Sequence, residues 1–162
     1  MLFSLLLSAT LTFTPPPAWQ PKAVTSMMRV GEFVLPRAEG DSEDASLVVY
    51  FFGGTGGTVQ ANLDRWFGQL SQPDGRQTKD IAATSSRLIN GLSVTLFDAT
   101  GTYVAEVTPG SSEHFNKPGF RMRAAVIQTA GGPYFIKLVG PIKSVTRWDK
   151  EYEGFLQSLQ YK

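Results

Sequence analysis

The sequence predicts an α+β domain, an antiparallel sheet sandwiched by helices. Three observations carry this. Leu47 to Phe52 (LVVYFF) is an unbroken apolar run that stops at Gly53-Gly54, the pattern of a strand covered on both faces. The other strand-like segments are joined by turns and read as hairpins rather than as strand-helix-strand units. Helical spacing is found near the middle and at the end, so the helices sit outside the hairpins.

The elements follow in order. Residues Leu2 to Phe13 (LFSLLLSATLTF) are apolar, and Pro15, Pro16 and Pro17 follow. Twelve residues are too few for a bilayer, which takes about 20. The run reads as an export signal, with Ala9 or Ala18 as cleavage candidates, although no Lys or Arg precedes it. The proline run reads as a stiff linker. Residues 1–18 are therefore expected to be signal and linker, and 19–162 a single folded domain.

Met28 to Leu35 reads as a strand that ends at Pro36, and Arg37 to Ala45 as a polar turn. Thr58 to Leu70 places Val59, Leu63, Trp66, Phe67 and Leu70 on one helical face. Pro73-Asp74-Gly75 is a turn. A short strand is expected near Asp80 to Thr84. Leu92 to Phe97 is expected to pair with Thr102 to Val107 across a turn at Asp98-Ala99-Thr100-Gly101. Thr108 to Phe120 is a long loop. Arg121 to Gln128 and Tyr134 to Val139 form a hairpin across Ala130 to Pro133. The last helix carries a stripe of Val145, Trp148, Tyr152, Phe155, Leu156 and Leu159, with Ser144 or Thr146 as its cap.

Composition excludes several classes. The chain of 162 residues has 42% hydrophobic residues, no Cys, one His and a formal net charge of +1. Enough apolar surface is present to offset ordering entropy, so the chain is not disordered. Without Cys, neither a disulfide framework, nor a thiolate metal site, nor a cysteine nucleophile can form. The near-neutral charge speaks against nucleic acid as a partner. No stable membrane span is expected, and no cofactor, metal site or catalytic residue is assigned.

The best site-like feature is the loop Gly53-Gly54-Thr55-Gly56-Gly57-Thr58, between a buried strand and a helix. Gly56, Gly57 and Thr58 could cradle an anion at the helix N-terminus, with Asn62 and Arg65 on one helix face reaching its mouth. The loop lacks the lysine of a phosphate-binding loop, and the simpler reading is a tight connection. His114 reads as an exposed loop residue. Glu39, Asp41, Glu43 and Asp44 read as a solvated turn rather than a calcium loop. Arg121, Arg123 and Lys137 are expected on one outer face as a small basic patch. Trp66 and Trp148 read as core residues.

Three groups of residues carry a family resemblance. They are Met28-Arg29 with Phe33, Leu35 and Pro36; Val48 to Gly57 leading into Asn62, Arg65 and Trp66; and Tyr134 to Pro141 with Phe155, Leu156 and Ser158. This layout resembles the PsbP-like superfamily, and most of all its uncharacterised exported bacterial members. The resemblance spans Trp19 to Leu159 and implies an antiparallel sheet between helices. It also implies an accessory role rather than catalysis. The expected function is thus a non-catalytic periplasmic or secreted binding protein whose partner is a protein or a small anion. The alternative is a small hydrolase or transferase that uses the Gly53–Thr58 loop as an anion cradle.

Overall fold

The computed structural model describes residues 8–162. The chain order is β1 (Leu11–Thr12), β2 (Gln20–Pro21), β3 (Arg29–Leu35), β4 (Ala45–Phe51), α1 (Val59–Gly68), β5 (Leu70–Ser71), α2 (Thr78–Ile81), β6 (Ala83–Ile89), β7 (Leu92–Tyr103), β8 (Lys117–Thr129), β9 (Gly132–Pro141), α3 (Ile142–Arg147), α4 (Asp149–Gln157) and β10 (Gln160–Tyr161). Eight strands form one antiparallel sheet in the order β2-β3-β4-β9-β8-β7-β5, with β6 also on β7. Helices lie on both faces, as the α+β sandwich predicted from sequence requires.

Strand alternation divides the core in two. Leu47 and Val49 of β4, with Ile136 and Leu138 of β9, point to one face, where Trp148, Tyr152, Phe155 and Leu156 cover them. Phe97 of β7, Met122 and Ala124 of β8, and Phe135 of β9 point to the other, where Leu63 and Trp66 of α1 pack. All six residues of the predicted C-terminal stripe are buried. The helix nevertheless breaks at Trp148, whose indole N–H donates to the Pro36 carbonyl at 2.9 Å. Neither expected cap residue caps it. Ser144 Oγ accepts from Ala38 N and donates to Asp41, and Thr146 Oγ1 accepts from Arg121.

Two strand expectations change. The hairpin expected around Asp98 to Gly101 is one continuous strand, β7. Asp98 looks like a turn residue, but it stands opposite Arg123 in the ladder and accepts from Nε and Nη2 of Arg121, at 2.9 and 2.7 Å. Gly101 is there because a Cβ would lie 2.7 Å from the Ser71 carbonyl, where β5 closes on β7. The strand expected near Asp80 starts at Ala83, because Thr78 to Ile81 form the single turn α2. Thr78 anchors that turn by donating to the Leu70 carbonyl at 2.8 Å.

The packed unit extends ahead of Trp19, its expected start. Leu11 is buried and pairs with Tyr161. Thr10 and Lys162 exchange both backbone hydrogen bonds at 3.0 Å. Phe13 lies 5.4 Å from Phe155 and 6.3 Å from Phe33, and Trp19 completes this aromatic cluster. The first six residues of the apolar run, 2–7, lie outside the described residues. Truncation to residues 19–162 should lower unfolding free energy by about 3 kcal/mol or more, since it strips Leu11 and Phe13 from the core. Urea denaturation of both lengths measures this, and equal midpoints would show that β1 and Phe13 contribute nothing.

Candidate functional site

Helix α1 covers only part of its face of the sheet. Its Trp66 and Phe67 pack on Phe97 of β7. The remainder, over β4 and β9, is left as a groove of about 1440 Å³. Its floor comprises Val48 and Tyr50 of β4 and Phe135, Lys137 and Val139 of β9. The segment around Met28 and Arg29 forms one wall, and the loop from Val104 to Phe115 forms another. Tyr50 and Phe52 stack at 5.9 Å between ring centres, and the Arg29 guanidinium lies 5.6 Å from the centre of Tyr50.

Lys137 is the unusual residue. It stands opposite Val48 on one side and Ala124 on the other, in the middle of the sheet. Its Nζ donates to Gln69 Oε1 at 2.7 Å and to the Tyr103 hydroxyl at 2.8 Å, both neutral acceptors. Burial and then the like charges of Arg65 and Arg29 pull its pKa down to about 8. Burial pushes Tyr103 up to about 12. Arg29 is compensated by Glu32 at 3.0 Å, a buried acid that Lys22 also approaches. Among the described residues Lys137 and Arg65 have no carboxylate partner.

The predicted site residues separate. Asn62 is buried beneath the glycine loop and donates through Nδ2 to the Gly56 and Thr58 carbonyls, each at 2.8 Å. Thr58 caps α1, its Oγ1 accepting from Ala61 N at 3.0 Å. A Cβ on Gly56 would meet the Phe135 ring at 2.7 Å, so this glycine permits a close approach. Gly56, Gly57, Thr58 and Asn62 are thus engaged in closing the strand-to-helix connection. Arg65 is exposed and lines the groove instead of the mouth of the loop.

The expected basic patch does not form. Lys137 points into the groove, whereas Arg121 and Arg123 point to the opposite face, toward α4. There both contact Asp98 and Asp149, and Arg123 also meets Glu153 at 3.0 Å. One residue of register places Lys137 beside Ala124 rather than Arg123. The acidic turn is also dispersed. Asp41 accepts from Ser144, Asp44 from the Arg37 backbone, and Glu43 pairs with Lys117. His114 closes the 104–116 loop, its Nδ1 2.9 Å from the Val104 carbonyl. No metal-holding group of three carboxylate or imidazole side chains occurs among the described residues.

Two outcomes test these assignments. Gly57 has φ of +82° with no atom closer than 3.7 Å to an added Cβ, and Gly56 has φ of +126° with the Phe135 ring in the way. Gly57→Ala should cost about 1–2 kcal/mol from backbone strain alone. Gly56→Ala should cost clearly more, and equal losses by urea denaturation would contradict the close approach.

The second outcome concerns Lys137. Unfolding returns its pKa to about 10.4, so above pH 8 the unfolded chain holds the proton more tightly. Stability should therefore rise between pH 8 and 10, the cost of the buried charge being fully present below that window. Tyr103 acts in the opposite sense only as the pH passes the ordinary tyrosine value of about 10. Lys137→Met should remove the rise. Melting temperatures of both proteins at half-unit pH steps measure it, and parallel profiles would contradict the assignment.

No protein-family model and no curated protein sequence matches the chain. Solved structures do. PA94 of Pseudomonas aeruginosa, a protein of unknown function, is similar with a TM-score of 0.54 and 16% identity over 94% of this chain and 96% of that one. LpqN of Mycobacterium tuberculosis, involved in cell envelope biogenesis, is similar with a TM-score of 0.54 and 13% identity over 96% of this chain and 84% of that one. At these identities the likeness is one of fold, a mixed α+β architecture shared over nearly the whole chain.

Proposed function

We propose that this chain is a non-catalytic accessory or binding protein of the bacterial envelope, exported to the periplasm or beyond, and that the groove over β4 and β9 is where it binds. One observation carries the reading: a half-buried ammonium on an aromatic floor, with no carboxylate partner among the described residues. Concave apolar sites with a few converging polar groups are the usual form of a ligand site. The described envelope role of LpqN supports the compartment. So does the resemblance of the sequence to exported PsbP-like proteins.

The fold bears on the export signal. Residues 2–9 still have the length of a signal's apolar stretch, about 7–15 residues. Cleavage after Ala9 would keep β1 and Phe13, whereas cleavage after Ala18 would remove both. Protein recovered from the periplasm is expected to begin at Thr10. The purified protein should bind the anionic dye 1-anilinonaphthalene-8-sulfonate saturably and one to one. Ser46 of β4 also lines the groove, opposite Val139, and Ser46→Trp, which would fill it there, should abolish that binding without lowering the melting temperature. Undiminished binding in this variant would place the site elsewhere.

A further inference from the structure

We infer that the ligand of the groove is a monocarboxylate with a long apolar body, its head on Lys137 and Arg65 and its body along the aromatic floor. This rests on the groove being the binding site and names what enters it.

The head follows from charge and donors. An ammonium has three N–H donors. Lys137 uses two, on Gln69 and Tyr103, and no third acceptor lies within hydrogen-bond distance among the described residues. Arg65 lines the same groove and makes neither an ion pair nor a side-chain hydrogen bond among the described residues. A guanidinium offers a planar fork that matches a carboxylate. Among the described residues neither cation has a carboxylate partner, and Lys137 is partly shielded from water, so an anion held between them would relieve its charge.

The number of charges follows from the other walls. Glu43, Asp44, Asp64 and Glu106 also line the groove. Each already has a donor within the chain: Lys117, Arg37 N, Gln60 and Gly110 N respectively. Their remaining negative charge disfavours a dianionic head such as a phosphate monoester and tolerates a single charge.

The body follows from shape and apolarity. The groove exceeds the range of about 300–1,000 Å³ usual for small-ligand sites, so acetate would leave most of it empty. The floor between the Tyr50–Phe52 stack and Phe135 is aromatic. Met28 and Val107 extend it to the rim, 55% and 41% exposed. Methionine adapts to varied apolar shapes, which suits a flexible chain more than a rigid ring.

Dodecanoate, dodecanol, dodecyl phosphate and acetate, each below its micellar concentration, are titrated into the full chain by calorimetry. Dodecanoate should bind one to one, tighter than dodecanol and dodecyl phosphate by about tenfold, and acetate should not bind detectably. Lys137→Met should weaken dodecanoate by about tenfold and leave dodecanol unchanged. Arg65→Gln, at an exposed position, should act in the same direction whether or not the lysine variant folds. If none of the three long-chain compounds binds, the groove is not the site and both readings fall. If dodecanol or dodecyl phosphate matches dodecanoate, or neither variant changes dodecanoate, the groove stands and the carboxylate head is wrong.

Discussion

The register between β4 and β9 is the constraint on which the rest of the molecule depends. Leu47 faces Leu138, and Val48 faces Lys137, at the centre of the sheet. A slip of one residue would turn Lys137 under α4 and Leu138 into the groove, because side chains alternate at every position. The apolar cover of α3 and α4 makes that slip expensive. Trp148, Tyr152, Phe155 and Leu156 pack on the apolar cluster that includes Leu47, Val49, Ile136 and Leu138. The lysine is thereby confined to the face that α1 only partly covers. The chemistry of the groove and the stability of the opposite face are consequences of one pairing.

The two faces handle charge in different ways. On the α4 face, Arg121 and Arg123 are only 15% and 14% exposed, and three carboxylates surround them. Arg123 also stacks its guanidinium 4.4 Å from the centre of the Tyr152 ring. Such a network fixes how α4 lies on β8, since buried guanidinium groups without partners would be costly. On the α1 face the lysine has only neutral oxygens. In the first arrangement each arginine is paired with carboxylates of the chain itself. The second is incomplete within the chain, and that difference separates scaffold from site.

Much of the fold was legible because apolar patterning reports burial directly. The run Leu47 to Phe52 became an inner strand, the C-terminal stripe is buried as spaced, and of the α1 stripe Leu63, Trp66 and Leu70 are buried while Val59 and Phe67 are partly so. Thr58, expected as part of an anion cradle, instead caps α1. Turn chemistry misled where tertiary pairing overrode it. Asp98 and Gly101 look like a turn, but the arginines of β8 and the approach of β5 use them within a strand. The groove was not legible, because nothing local says that a helix will cover half of a sheet face. Its signal was one lysine inside Tyr134 to Val139, an otherwise apolar strand. A charge in such a position marks either an exposed face or a concave site.

The pairing of Leu11 and Thr12 with Gln160 and Tyr161 joins segments almost the whole described chain apart. Contacts of such separation form late, after loop closure across everything between them. On a ribosome, β1 has no partner until β10 has been made and has cleared the exit tunnel. Until then Leu11 lacks the strand it pairs with, so the β1–β10 pair is the last seam of the fold to close.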